Sequence, residues 1–285
     1  MKLFTTNQGI AREASDGTLE ILDLAERDLG ALLAVDPELK RARSAGVLRR
    51  TTIEDIVLLA PVLRPGKVIG IGINYSSHVA ETSEALARMG IEVPTDPIFF
   101  LAPGSAVIGP EDPIVLPKIA PERVDYEIEL AVVIGQGGTA ITEAEAFSHV
   151  AGYTLANDVS ARDIQSQAMT GPQFELSHAK GMDSFKPMGP ALVTADEFEL
   201  PLNIHLETRV NGTIRQDAWT TEFVHSLPSC IAYVSRFMRL DPGDVIITGS
   251  PSGVGHFQNL FLKDGDVVEL TADKIGTLRN PVVNA

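Results

Sequence analysis

One cysteine, Cys230, and one tryptophan, Trp219, occur in 285 residues. A lone thiol excludes an internal disulfide and the paired thiolates of a zinc site, and it fits a reducing compartment. No stretch approaches the ~20 consecutive apolar residues of a membrane-spanning helix. Basic residues are few and scattered. Lys and Arg number 23 against 38 Asp and Glu, giving a net charge of −15. Nucleic acids and anionic membranes need clustered cationic surface, so neither is an expected partner. The opening Met1-Lys2-Leu3-Phe4-Thr5-Thr6 lacks an apolar core followed by a cleavage site, and a cytoplasmic protein is expected. Fixed-period repeats and low-complexity tracts are absent as well.

What is present is an ordinary globular composition, with 44% hydrophobic and 21% charged residues. The length suits one large core, or one large domain with a small appendage. Residues 1–64 read as a small N-terminal α+β module. A strand is expected at Leu19–Leu24 after the Asp16-Gly17 turn, and a helix start at Thr51–Ile56. The breaker-rich Ala60–Lys67 marks the boundary, and 65–285 reads as one catalytic domain. Short apolar runs follow at Val68–Gly72, Ile98–Leu101, Ile114–Leu116, Tyr126–Ile134, Asp244–Thr248 and Val267–Leu270. Close turn signals between them predict a β-rich, barrel-like or sandwich core. Helical patterns are fewer, at about 76–89, 142–150 and 226–239.

Asp125-Tyr126-Glu127-Ile128-Glu129-Leu130 carries the most information. In a strand, alternate side chains share a face, so Glu127 and Glu129 point together with Asp125 on the same side. Two such carboxylates can converge on one hard cation; without it they repel. Taken alone, the pattern also suits a solvated acidic strand face. Asp158 follows the apolar Val150–Leu155 and sits near a strand end, where it is a candidate third ligand or a helix N-cap. Arg162 and Asp163 read most simply as an ion pair or a surface feature.

His78 and Glu81 lie three apart after the first buried strand and meet on one face of a helical turn. A carboxylate there orients the imidazole and makes it a better base for a water; an exposed helix pair is the ordinary alternative. Residues 82–97 are polar, contain Gly90, Pro94 and Pro97, and read as a mobile lid. Lys180 stands at a glycine step, a common surface position, but near a metal its charge would hold an enolate. Thr248–Gly255 is a glycine-rich turn whose N–H groups suit a carboxylate. Rossmann and Walker patterns are absent.

These pieces, in this order, resemble the fumarylacetoacetate hydrolase family. The matching stretches are Gly70–Tyr75 with His78 and Glu81, Val124–Leu130, Gly152–Asp163, Lys180 with Asp183-Ser184-Phe185, Arg209–Gly212 and Pro242–Gly249. Each is weak alone; the ordered set, over about 66–272, is specific. The resemblance implies a β-rich α+β fold, a mixed β-sandwich or roll of β-clip type, and a homodimer. It implies Mg²⁺, or Mn²⁺, held by Glu127, Glu129 and Asp158, and a small 2-oxo acid chelating that ion. His78 is then the base, Glu81 its orienter, and Lys180 the group that stabilises an enolate or oxyanion. Gln165 and Thr248 are implied substrate contacts. Ser250, Phe174–Ala179 and Ile73 depart from common members; the first is conservative, and the last two bear on the substrate's distal group, not the metal site.

The implied reaction is hydrolysis of a C–C bond in a 2,4-dioxo acid such as an acylpyruvate, fumarylpyruvate or a diketo-deoxy sugar acid, leaving a pyruvate enolate. The alternative uses the same site for decarboxylation of oxaloacetate, or for decarboxylation and isomerisation of an aromatic ring-cleavage product. The His-Glu pair favours hydrolysis, and the intact set of carboxylates, lysine and dyad argues against a non-catalytic scaffold.

Overall fold

Apolar, β-branched runs at Val68–Gly72, Ile128–Ile134, Val150–Asn157 and Val245–Ile247 form the centre of a large mixed sheet. The computed structural model describes residues 1–88, 95–170 and 176–285. Across the sheet the order is Val47–Thr51, Leu19–Leu22, Gly9–Glu13, Lys2–Thr6, Lys186–Thr194, Val150–Asn157, Ile128–Ile134, Val245–Ile247, Val68–Gly72 and Ile98–Ala102. Neighbours on this path are antiparallel except Val245–Ile247 with Val68–Gly72. A second sheet orders Thr213–Trp219, His205–Val210, Val267–Ala272, Gly276–Asn284 and Ile114–Leu116.

Period-two alternation decides which face each side chain meets. Ile128, Leu130, Val132 and Ile134 enter a core shared with Leu206, Leu270 and Leu278 of the second sheet. Ala131 and Val133 point the other way, into a core with Leu29, Leu32 and Leu33. Each large aliphatic side chain buried this way contributes about 1.5–3 kcal/mol. The result is the sheet-rich mixed architecture expected from the sequence. Among the described residues no helix is long and apolar enough to cross a membrane.

Several elements differ from the sequence expectation. The run from Tyr126 is not one strand: Val124–Asp125 pairs with Ser160–Ala161, and the long strand begins at Ile128. Side chains replace the missing ladder partners. Tyr126 N–H donates to Asp125 Oδ1, Glu127 N–H to Asn157 Oδ1 and Ile128 N–H to Gln216 Oε1, at 2.9, 3.0 and 3.0 Å. The helix expected over 142–150 shrinks to a 3₁₀ turn, Ala146–His149, because the chain enters the sheet at Val150. Thr51–Ile56 likewise holds a single 3₁₀ turn, Ile53–Asp55. The helix over 226–239 spans Leu227–Ser235, started by Ser226. Helices at Leu29–Val35, capped by Asp28, and at Arg162–Thr170 were not expected. Of the expected lid over 82–97, the helix Ser76–Arg88 takes the first part and 89–94 lie outside the described residues. The stretch 1–64 joins the main sheet through Lys2–Thr6, with Lys2 opposite Val193, and shares its second core with Val68, Val133 and Ile247.

Candidate active site

The main sheet brings three strand ends to one edge. Gly70 lies beside Ile247, Ile247 beside Ala131, and Asn157 beside Ile128. The chain leaving each strand there delivers Asn74 and His78, Thr248 and Gly249, and Asp158, while the strand starting there carries Glu129, with Glu127 immediately before it.

Glu127, Glu129 and Asp158 are buried, and one carboxylate oxygen of each lies within 4.8 Å of the others. The even spacing of 127 and 129 produces their shared direction. Asp158 is set by its own N–H, which donates to Glu127 O at 2.9 Å. Lys180 Nζ lies 2.5 Å from both Glu127 Oε2 and Asp158 Oδ2. Arg162 is a correction to the sequence reading. It is only 6% exposed, its Nε donates to Asp125 Oδ2 at 2.8 Å, and its Nη2 reaches Glu127 Oε1 at 2.6 Å. Four residues after Asp158, on a short helix, it turns inward; Asp163 turns out toward Arg123 at 3.6 Å. Asp125 does not join the three clustered carboxylates. It accepts from the N–H groups of Tyr126, Gly255 and His256 as well as from Arg162.

The charges do not balance. Burial alone would raise the Glu127 carboxyl, but Lys180 and Arg162 hold it below the usual carboxylate range. Glu129 is pushed well above that range, first by burial and then by Asp158 and Glu127. It accepts from Gly249 N–H at 2.7 Å, and among the described residues no lysine or arginine forms an ion pair with it, although the charge of Lys180 opposes the rise. Three hard oxygen donors with one under-compensated carboxylate fit a Mg²⁺- or Mn²⁺-type ion, which Glu127, Glu129 and Asp158 would hold.

His78 Nδ1 lies 2.9 Å from Glu81 Oε2, and Glu81 Oε1 accepts from Gly253 N–H at 3.2 Å. The glycine-rich turn thus fixes the carboxylate that fixes the ring. His78 is 9% exposed and lies within electrostatic reach of Glu127. Gln165 Oε1 accepts from Arg162 Nη1 at 2.7 Å, leaving its amide N–H groups as donors. Thr248 is buried and its hydroxyl donates to Leu130 O at 2.9 Å, so it offers a ligand only acceptor capacity.

Two supports escaped the sequence reading. Phe100 places its ring centroid 5.4 Å from Lys180 Nζ. The ring fits because residue 70 is glycine: a Cβ there would stand 2.2 Å from Phe100 Cζ. Gly70→Ala should therefore cost about 1–3 kcal/mol through overpacking. Chemical denaturation beside Phe100→Leu/Gly70→Ala checks this; relief by the smaller side chain is expected. The second support is Lys186, whose Nζ stands 2.7 Å from Asp158 Oδ1.

The family described as "Fumarylacetoacetate (FAA) hydrolase C-terminal" matches residues 67–283. The chain is 46% identical over 231 residues to "Oxaloacetate tautomerase fahd2, mitochondrial" of Xenopus laevis, covering 80% of this chain and 69% of that protein. Among solved structures, the fumarylacetoacetate hydrolase of Exiguobacterium antarcticum is 35% identical with a TM-score of 0.85, covering 100% of both chains. A 5-carboxymethyl-2-hydroxymuconate delta-isomerase of Mycobacterium smegmatis is 36% identical with a TM-score of 0.77, also covering 100% of both. With the matched span and the fold in agreement, the chain belongs to the fumarylacetoacetate hydrolase family.

Proposed function

We propose that the protein interconverts the keto and enol forms of a small 2-oxo dicarboxylic acid of the oxaloacetate class, with Mg²⁺ or Mn²⁺ at Glu127, Glu129 and Asp158. The observation that carries this reading is the proximity of the buried carboxylate–lysine cluster to a histidine held at one nitrogen. Support comes from the 46% identity to a protein named an oxaloacetate tautomerase. A bound ion would supply Lewis acidity toward the 2-oxo oxygen. His78 has Nδ1 engaged by Glu81, so Nε2 is the nitrogen that takes a proton from C3 and returns it. Lys180 places its ammonium against the developing enolate oxygen. Gln165 offers its amide N–H groups to a carboxylate. The C3–H bond breaks and an O–H bond forms, so water is not consumed. The local cations must overcome the repulsion that a net charge of −15 exerts on a dianion.

A second reading, hydrolysis of a 2,4-dioxo acid, is favoured by one feature: Glu81 is fixed at both oxygens, which suits a dyad that activates water. Water would add at C4 and the C3–C4 bond would break, releasing a carboxylic acid and pyruvate. Decarboxylation of oxaloacetate, or decarboxylation and isomerisation of a ring-cleavage product, would use the same enolate-stabilising groups. A homodimer is part of the proposal. So is a reducing compartment, cytoplasmic as expected above or mitochondrial as in the relative's name; buried, unpaired Cys230 suits either.

The test follows enol absorbance, pyruvate and CO₂ with oxaloacetate, acetylpyruvate and fumarylpyruvate, under Mg²⁺, Mn²⁺ or EDTA. Metal-dependent keto–enol exchange of oxaloacetate without pyruvate is the expected result. Pyruvate released from a dioxo acid without CO₂ would move the assignment to hydrolysis. His78→Ala should lower turnover by about 10²–10⁴-fold while leaving Mn²⁺ affinity intact; unchanged turnover would remove His78 as the base.

A further inference from the structure

Lys186 is the second lysine of the site, and the reaction outlined above gives it no task. It is fully buried at the start of the strand Lys186–Thr194. Its Nζ donates to the carbonyls of Lys180 and Phe185, and it stands 2.7 Å from Asp158 Oδ1. Burial pulls its own pKa down, and Asp158 opposes that pull. The two lysines therefore divide the Asp158 carboxylate between them, Lys180 on Oδ2 and Lys186 on Oδ1. They are not equivalent. Lys180 contacts two carboxylates and the face of Phe100. Lys186 is anchored by two main-chain carbonyls, which cannot swing away.

We propose that Lys186 is a positioning residue that sets cation selectivity, by committing Asp158 Oδ1 so that Asp158 offers a divalent ion one oxygen only. This rests on the reading of Glu127, Glu129 and Asp158 as a cation site. The physical argument is one of ligand number. Ca²⁺ takes six to eight oxygens and gains from carboxylates that bind through both, whereas Mg²⁺ is satisfied by one or two single-oxygen carboxylates plus waters. Among the described residues Oδ1 accepts no hydrogen bond, so Lys186 acts on it through charge: an ammonium fixed 2.7 Å away repels a cation on that side and disfavours a second contact there, whereas Lys180 is not anchored in this way. The same anchor ties the Lys180 main chain to Asp158, so the ligand and the enolate-stabilising lysine keep one spacing.

The experiment measures Mn²⁺ and Ca²⁺ dissociation constants by calorimetry on the purified full chain, wild type beside Lys186→Met, Lys186→Gln and Lys186→Arg. Removing a positive charge strengthens binding of both ions, so the ratio of the two constants is the quantity that discriminates. The expected result is a shift of about tenfold or more toward Ca²⁺ in Lys186→Met and Lys186→Gln, with Lys186→Arg near the wild-type ratio. Ratios within twofold of wild type in folded Met and Gln variants would overturn the proposal. Glutamine retains an N–H donor for a carbonyl, so it keeps the test open if methionine fails to fold. If the wild type binds neither ion, the cation-site reading falls and this inference with it. If the wild type binds and only the ratio is unmoved, the role of Lys186 alone falls.

Discussion

Glu129→Gln should nearly abolish activity and, with metal removed, make the protein more stable. Glu129 is buried beside two other carboxylates, accepts from Gly249 N–H and, among the described residues, has no lysine or arginine in an ion pair with it. Burial and its neighbours push its carboxyl well above the ordinary range. An acid whose folded value is raised has its full stability below the unfolded value, and that stability is lost as pH rises through the folded value. At neutral pH the metal-free protein therefore bears a cost that the neutral amide removes. A gain of about 1–2 kcal/mol is expected from urea unfolding in EDTA, as is usual when a strained functional group is replaced. Stability of the wild type in EDTA should also fall between pH 4.5 and neutrality by more than that of the variant. Loss of the ligand should meanwhile lower turnover by about 10³-fold, since a metal contributes several kcal/mol to charge stabilisation. A variant less stable than wild type in EDTA would show that Glu129 is already compensated, and the argument for a missing cation would fail.

Arg162→Met should be the most destabilising change in the site. Its guanidinium joins Asp125 and Glu127 at 2.8 and 2.6 Å, and all three side chains are buried. Removing one partner of a buried ion pair leaves an uncompensated charge and costs about 3–5 kcal/mol. Asp125 keeps three main-chain N–H donors, so most of the loss should fall on Glu127. Adding Glu127→Gln to Arg162→Met should then recover part of it. A loss below about 1 kcal/mol for the single change, in equilibrium unfolding, would mean that the carboxylates are solvated by their other donors.

The site was legible in the sequence where it obeys local periodicity. Glu127 and Glu129 share a face because a strand repeats every two residues, and His78 meets Glu81 because a helix returns every three to four. Asp158 could be placed at a strand end but not distinguished from a cap by its neighbours. What the sequence withheld depends on long-range closure. Arg162 looks like any arginine on a short helix until residues 125 and 127 are seen beneath it. Lys186 precedes Pro187 and Met188 in a segment without alternation, because that strand is buried along its whole length. The break ahead of Ile128 follows from Asn157 and Gln216, which take over the main-chain donors of Glu127 and Ile128 from 30 and 88 residues away. Local pattern predicted the strands; it did not predict which side chains would substitute for a strand.

The join between Lys2–Thr6 and Lys186–Thr194 has a consequence for how the chain acquires its structure. Leu3, with its partner Leu192, is fully buried, so the first strand, which can pair early with Gly9–Glu13, lacks its other neighbour until residues 186–194 are made. At typical synthesis rates that interval is about 10–40 s. During it, the amino-terminal hairpins expose an unpaired edge and an apolar face. Pairing across so long a separation is slow to nucleate. Such a chain completes its active site late, as the strand that brings Lys186 to Asp158 also receives the waiting first strand, so a half-made protein would hold neither the full sheet nor a working cluster of charges.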